Sequence, residues 1–114
     1  RYTVLSCNEN EYATLGGDGD RLRQRYGMDE VLVHTRQESI LFWEGEKVSV
    51  PTLFVERPVL STGAGDHFNA AYMAAGMMQL SPKERLEFAN RFVHFYLTHG
   101  YGARFEELLE SEYA

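Results

Sequence analysis

The sequence predicts an α/β fold, and three observations lead to this prediction. A β-prone segment, a polar helical segment and an apolar β-branched segment follow one another near the start of the chain. Two further β-prone segments are separated by a short gap that contains a glycine. The second half carries two long segments with helical patterns. Strands and helices in this order favour a sheet packed against helices.

The first part of the chain has the pattern of a parallel crossover unit. Tyr2–Ser6 predicts a strand. The segments Asn8–Glu11 and Tyr12–Leu15 follow, and a glycine pair closes what is predicted to be a short helix. Asp18–Tyr26 predicts a polar helix, and Glu30–Thr35 predicts an apolar strand. Because helices lie between the two strands, we expect the strands to be parallel.

The middle of the chain predicts a β-hairpin. Ser39–Trp43 and Lys47–Val50 are β-prone and flank Glu44–Glu46, a gap of the size of a turn that contains a glycine. Leu53–Glu56, which lies between two prolines, predicts a further extended stretch.

The remainder of the chain predicts helices. Gly65–Leu80 is rich in alanine, which allows close packing. Ser81 is the predicted N-cap of the next helix and Glu84 its capping-box partner, and this helix runs to about Thr98. Its apolar residues recur every three or four positions, so we expect it to be largely buried. Phe105–Tyr113 predicts a short acidic helix.

Composition limits the classes of function. The chain has 114 residues, 44% of them hydrophobic and 25% charged, as in one soluble globular domain. A net charge of −6 gives no basic surface for nucleic acid. No apolar run reaches the roughly 20 residues that span a bilayer, so we expect no membrane partner. The single cysteine suits a reducing compartment, and we expect the cytoplasm. Because the chain begins at Arg1 and not at Met, we expect a fragment.

The most informative segment is a glycine turn that precedes a helix. Gly63, Ala64 and Gly65 are followed at once by Asp66. The N–H groups of such a turn bind anions, and the aspartate beside them is placed to act as a base. The alternative is a purely structural start of a helix, with Thr62 or Asp66 as its cap.

A second segment, Asn8 to Glu11, also has two interpretations. An asparagine followed three residues later by a glutamate, after a strand, forms a good capping box. The second interpretation is a functional one, and it depends on the family resemblance described below. One pair of residues is able to do both.

The segment from Thr62 to Phe68, Thr-Gly-Ala-Gly-Asp-His-Phe, resembles the C-terminal signature of the ribokinase-like (PfkB) family of carbohydrate and nucleoside kinases. The resemblance implies a three-layer ribokinase-like fold, of which this chain is the C-terminal part. It implies ATP and Mg²⁺ as cofactors and a sugar or nucleoside as substrate. It also implies that Gly63, Ala64 and Gly65 form the anion hole and that Asp66 activates the substrate hydroxyl. Ser61 stands where the family often has an acid.

Other positions extend this resemblance. The pair Asn8 and Glu11 is similar to the family's Asn-x-x-Glu motif, which implies that Asn8 orients phosphate and that Glu11 organises Mg²⁺, largely through water. Asn90 resembles the asparagine that borders the nucleotide base, although a structural hydrogen bond explains it equally well. Thr35 corresponds to a nucleotide-binding threonine.

The segment Arg36–Ser39 departs from the family, because the two glycines of the usual turn over the nucleotide are absent. Arg36 and Ser39 are expected to crowd a close approach of the backbone. The resemblance covers nearly all of residues 1–114, which we expect to be the nucleotide-binding and catalytic portion, without the N-terminal substrate and lid portion. We expect this portion to be inactive alone and to self-associate. The alternative function is a non-catalytic nucleotide-binding or interaction module that keeps the kinase fold.

Overall fold

The computed structural model describes residues 2–53, 55–59 and 63–102. Within these residues the chain forms four strands and four helices. In chain order they are β1 (Val4–Asn8), α1 (Glu9–Thr14), α2 (Gly19–Tyr26), β2 (Glu30–His34), β3 (Glu38–Trp43), β4 (Glu46–Pro51), α3 (Ala64–Met77) and α4 (Pro82–His99). They belong to two compact units, Arg1–Thr52 and Leu53–Ala114. The predicted α/β class is confirmed.

The first unit is built on a sheet of strand order β1-β2-β3-β4. Strands β1 and β2 are parallel, with Val4 opposite Glu30, which confirms the predicted crossover unit. Strand β1 begins two residues later than predicted. The carbonyl oxygen of Thr3 still accepts from the N–H groups of Asp29 and Glu30, at 3.0 Å and 3.2 Å. Its N–H group, however, donates to the Asp29 carboxylate at 2.7 Å and not to a carbonyl of β2, so the ladder begins only at Val4.

Helix α1 begins at Glu9, with Asn8 as its N-cap, as the capping-box interpretation of Asn8 and Glu11 predicts. Because Asn8 is also the last residue of β1, the helix follows the strand without a loop. Helix α2 agrees with the prediction to within one residue, with Asp18 as its N-cap and Gly27 as its C-cap.

One face of the sheet packs against α1 and α2. Buried apolar side chains of α2, β2 and β3 form a cluster, with two partly buried neighbours from β1 and α1; its members are Leu22, Val31, Val33, Ile40, Phe42, Leu5 and Tyr12. Gly19 makes the approach of α2 possible, because a Cβ atom at this position would lie 2.1 Å from Cδ2 of Phe42. Cys7 of β1 is 2% exposed.

Strands β3 and β4 form the predicted hairpin. The turn contains two residues, Glu44 and Gly45, with φ of 41° and 78°, and Trp43 pairs with Glu46. Two consecutive positive φ values are typical of the tight hairpin turn that matches the twist of the strands. The predicted three-residue gap is therefore one residue too long. No strand is found in the described part of the stretch predicted over Leu53–Glu56.

The second unit is built on the packing of α3 against α4. Helix α3 ends at Met77, three residues earlier than predicted, because Gln79 has a φ of 61° and cannot continue the helix. Ser81 and Glu84 form the predicted capping box of α4, which ends at His99 with Gly100 as its C-cap. The buried apolar residues of the two helices are Phe68, Ala71, Tyr72, Ala75, Leu86, Ala89, Phe95 and Tyr96. The helix predicted over Phe105–Tyr113 lies outside the described residues.

Candidate active site

The glycine turn leads directly into α3. Gly63 is the N-cap residue, and its φ of 87° and ψ of 3° are the left-handed conformation that favours glycine. Among the described residues, no side chain caps α3. Ala64, Gly65 and Asp66 are its first three residues, and the N–H groups at these positions have no partner within a helix. The start of α3 therefore presents three donors at the positive end of the helix dipole, and two of them, from Ala64 and Gly65, belong to the predicted anion hole.

Asp66 is exposed at the third position of α3. The interpretation of Asp66 as the helix cap is wrong, because its side chain makes no capping hydrogen bond. Thr62, the other predicted cap, lies outside the described residues, as does Ser61. The Asp66 carboxylate is thus exposed next to the N–H donors that are predicted to form an anion hole.

His67, which the sequence analysis does not single out, is part of the same turn. Its Nδ1 atom lies 2.9 Å from the carbonyl oxygen of Gly63. Its ring stacks on Tyr96, with centroids 3.8 Å apart, and on Phe92, at 5.9 Å. The only sequence signal is that both pairs, Gly63 with His67 and Phe92 with Tyr96, are four residues apart and so share a face of a helix.

Asn8 and Glu11 form the predicted capping box in the first unit. The Asn8 side chain accepts from the N–H of Glu11 at 2.8 Å, and Oε1 of Glu11 accepts from the N–H of Asn8 at 2.9 Å. Both residues are exposed. The structural interpretation is therefore correct, and the exposure of the carboxylate is compatible with the functional one.

The charge of Glu11 acts on two neighbours. Burial raises the pKa of the Cys7 thiol, and the Glu11 carboxylate raises this pKa further. Burial lowers the pKa of His34, and Glu11 acts against this shift. Glu11 is thus close to the carboxyl ends of β1 and β2, where His34 lies opposite Asn8.

Thr35 organises the loop between β2 and β3. Its hydroxyl donates to the carbonyl oxygen of Glu38 at 2.9 Å and accepts from the N–H groups of Gln37 and Glu38, at 3.2 Å and 3.0 Å. The N–H of Arg36 donates to the Glu9 carboxylate at 3.2 Å, which connects the loop to α1. Outside glycine, positive φ values occur in the described chain only at Glu44 and Gln79, so this loop is formed without the glycines of the family pattern.

The remaining predicted residues differ in their surroundings. Ser39 belongs to β3 and is 1% exposed, whereas Arg36 is exposed at the loop. Asn90, on α4, is 6% exposed, so its polar side chain is buried.

The predicted site residues are divided between the two units. The first unit brings Asn8 and Glu11 together, and the bond between Glu9 and Arg36 joins α1 to the loop of Thr35. The second unit holds the glycine turn, Asp66 and Asn90. In the described part of the chain, no three His, Cys, Asp or Glu residues are grouped so as to hold a metal ion.

Two further observations concern other classes of site. The first unit contains a cavity of about 420 Å³, and none of its lining residues is a predicted site residue; they are Leu15, Gly16, Asp18, Arg21, Leu22 and Arg25. None of the helices in the described residues has the length and apolar character needed to cross a membrane.

Comparison with known proteins identifies relatives of this chain. A family model described as pfkB family carbohydrate kinase matches residues 3–105. A comparison with curated protein sequences finds no significant match.

Solved structures with the same fold include several ribokinases. A ribokinase from Thermotoga maritima is matched with a TM-score of 0.78 and 24% identity over 94% of this chain and 41% of that chain. A ribokinase from Arabidopsis thaliana, complexed with ribose and ATP, is matched with a TM-score of 0.76 and 26% identity over 95% of this chain and 40% of that chain. A putative ribokinase II from E. coli, in complex with ATP and Mg²⁺, is matched with a TM-score of 0.74 and 24% identity over 94% of this chain and 38% of that chain. The chain thus spans about two fifths of the length of the ribokinases that it matches.

Proposed function

Because this chain belongs to the pfkB family of carbohydrate kinases, we propose that it carries the catalytic and nucleotide-binding residues for transfer of a phosphoryl group from ATP to a hydroxyl of a sugar or nucleoside. The N–H groups of the Gly63–Gly65 turn bind the oxygens of the transferred group. Asp66 accepts the proton of the substrate hydroxyl as its oxygen attacks phosphorus. The single cysteine supports the further proposal that the protein works in the cytoplasm.

One observation carries this proposal: α3 begins at a left-handed glycine without a side-chain cap, and an exposed aspartate is its third residue. A helix whose only task is structural gains about 1 kcal/mol from a capping side chain, and both α1 and α4 have complete capping boxes. The open N-terminus of α3 keeps its donors available for an anion. Phosphoryl transfer requires such fixed donors together with a base, and the turn supplies both.

Asn8 and Glu11 fit a site for Mg²⁺ and phosphate. Mg²⁺ prefers oxygen ligands and usually keeps several of its waters, with one or two carboxylates and the substrate phosphates as partners. The capping bond of Glu11 uses Oε1. The same carboxylate would hold Mg²⁺ through water, and Asn8 would orient phosphate. Bound Mg²⁺ supplies neutralisation of the phosphate charge.

Thr35 and Asn90 complete the proposed nucleotide site. The Thr35 hydroxyl fixes the β2–β3 loop, so its contribution is to shape the backbone that faces the nucleotide. Asn90 is buried and borders the base. The second candidate function is a nucleotide-binding or interaction module without catalysis, and the observation that favours it is the loop with Arg36 in place of glycine.

Substitution of Asp66 by asparagine tests the catalytic assignment. The base is lost while the size of the side chain is kept, so we expect turnover to fall by at least about 10²-fold, the lower range of general-base effects. Binding of ATP should be preserved, because one negative charge beside the phosphates is removed. The measurement is turnover of ATP with a panel of sugars and nucleosides, made on a version of the protein that carries the expected N-terminal portion. Glu87→Gln, at an exposed position of α4, is the matched control.

Near-normal turnover in Asp66→Asn would show that the base assignment is wrong. Binding of ATP by the unmodified version that carries the N-terminal portion, without turnover on any member of the panel, would favour the non-catalytic module.

A further inference from the structure

We propose that His67 is the positioning residue of the Gly63–Gly65 turn, called the anion turn below, and that it acts by fixing the direction of the Ala64 N–H group. The inference rests on the proposed function, since it concerns the same turn. It adds a residue of α3 that no sequence motif identifies, and through it two aromatic residues of α4.

His67 binds the Gly63 carbonyl oxygen twice. Its backbone N–H donates to this oxygen at 3.0 Å, and its Nδ1 atom lies 2.9 Å from the same oxygen. A carbonyl oxygen only accepts hydrogen bonds, so the proton of the neutral imidazole must be on Nδ1. The two bonds use both lone pairs of the oxygen and hold the carbonyl along the axis of α3.

The orientation of this carbonyl determines that of an anion-hole donor. The C=O of Gly63 and the N–H of Ala64 belong to one planar peptide group, which is trans, as are all peptide bonds in the described residues. In a trans peptide group the C=O and N–H bonds point in opposite directions. Holding the Gly63 carbonyl toward the helix therefore holds the Ala64 N–H away from it, toward an anion at the N-terminus.

Two aromatic rings of α4 hold the imidazole in this position. Tyr96, which is 6% exposed, stacks on it at 3.8 Å with an interplanar angle of 22°, and Phe92 lies at 5.9 Å and 24°. Glycine has more conformational freedom than any other residue type. The peptide group between Gly63 and Ala64 therefore needs an external constraint. The stacked imidazole supplies this constraint.

A pair of substitutions separates the hydrogen bond from the stacking. His67→Phe keeps an aromatic ring but removes the donor, whereas His67→Asn keeps a side-chain N–H near the position of Nδ1 but removes the ring. The protein is titrated with inorganic phosphate while the amide signals of Gly63, Ala64 and Gly65 are followed by NMR. We expect His67→Phe to bind phosphate about threefold to tenfold more weakly, as for the loss of one hydrogen bond, and His67→Asn to bind more tightly than His67→Phe.

His99 provides a matched control within α4. Its Nδ1 atom lies 3.0 Å from the carbonyl oxygen of Phe95, four residues earlier, and its ring stacks on Phe95 at 3.8 Å. His99→Phe therefore removes the same kind of bond at a helix position outside the glycine turn. It should leave phosphate binding unchanged.

The outcomes distinguish this inference from the proposed function. If phosphate shifts the three amide signals in the unmodified protein and His67→Phe binds it equally well, the positioning role is overturned and the anion turn stands. If phosphate shifts none of these signals, the anion turn fails and the role of His67 fails with it. The ¹⁵N shifts of the His67 ring test the bond without any substitution, and a proton on Nε2 in the neutral ring would overturn the inference.

Discussion

Two imidazoles in this protein resist protonation in the folded state. Burial lowers the pKa of His34, against an opposing effect of Glu11, and burial together with the nearby His99 lowers the pKa of His94. In the unfolded chain both residues titrate near the ordinary value of about 6.5. Between the folded and unfolded pKa values the unfolded chain binds more protons, so acid favours unfolding.

We therefore expect the free energy of unfolding to fall as the pH decreases through about 6.5, and to level off below the folded pKa values. Denaturant unfolding at a series of pH values measures this dependence. His34→Gln removes one of the two groups and should reduce the slope over the same range. An equal slope in the variant would show that His34 does not contribute.

Glu11→Gln separates the two roles of Glu11. Glutamine also serves in a capping box, so folding should be preserved. Loss of the charge should raise the Mg²⁺ concentration that half-maximal turnover requires in the version that carries the N-terminal portion. The pKa of His34, measured by NMR, should decrease further, because the charge that raises it is gone. Glu84→Gln is the matched control, since Glu84 holds the same position in the capping box of α4. If both variants have the same Mg²⁺ dependence as the unmodified protein, Glu11 has only the capping role.

At the residue scale, the predictable contacts are the local ones. The capping boxes of Asn8 with Glu11 and of Ser81 with Glu84 depend on partners three residues apart, so their spacing is visible in the sequence. His67 was missed because its stacking partners belong to another helix. The sequence likewise did not decide whether the N-terminus of α3 has a cap, because aspartate is among the residue types that cap helices best.

At the scale of elements, the approach of α2 to the sheet depends on Gly19. A methyl group there would meet the ring of Phe42, which is itself 8% exposed in the apolar cluster. We expect Gly19→Ala to reduce the free energy of unfolding by about 1–3 kcal/mol, the usual cost of overpacking. In α3, a Cβ atom at Gly76 contacts only Cδ of Arg85, at 3.9 Å. Gly76→Ala should therefore stabilise the protein, by about 0.5–1 kcal/mol, and a similar gain in Gly19→Ala would contradict the account of α2.

The elements themselves were largely predictable, and their ends were not. Periodicity and β-propensity locate every strand and helix from β1 to α4, including the parallel pair and the hairpin. The ends depend on single contacts: Thr3 bonds to Asp29 before β1 starts, and Gln79 takes a left-handed conformation after α3. Such contacts depend on tertiary structure or on one residue's conformation, and neither has a periodic pattern.

At the scale of the whole molecule, the two units provide separate reports on unfolding. The only tryptophan of the sequence, Trp43, belongs to β3 in the first unit. Most of the described helix belongs to α3 and α4 in the second unit. Because each unit has its own packed elements, we expect the tryptophan fluorescence and the helical circular dichroism to change at different denaturant concentrations. Superimposable transitions would show that the molecule unfolds in a single cooperative step.

The fold class and the family motifs are thus predictable for the molecule as a whole. The α/β class followed from local patterns. The motifs around Asn8 and Asp66 identified the family whose model matches residues 3–105. The predicted absence of an N-terminal portion and the predicted self-association stay predictions, because the structure of this chain tests neither.

The burial of Cys7 makes the labelling rate of its thiol a measure of how often β1 opens. A thiol that is 2% exposed, and whose pKa burial raises, reacts with a disulfide reagent only when its strand separates from the sheet. Cys7 is the only cysteine of the sequence and immediately precedes Asn8. The rate at which the native protein is labelled therefore counts the openings of the strand that carries the Asn8 motif, and a ligand bound at Asn8 and Glu11 would slow this rate in proportion to its occupancy.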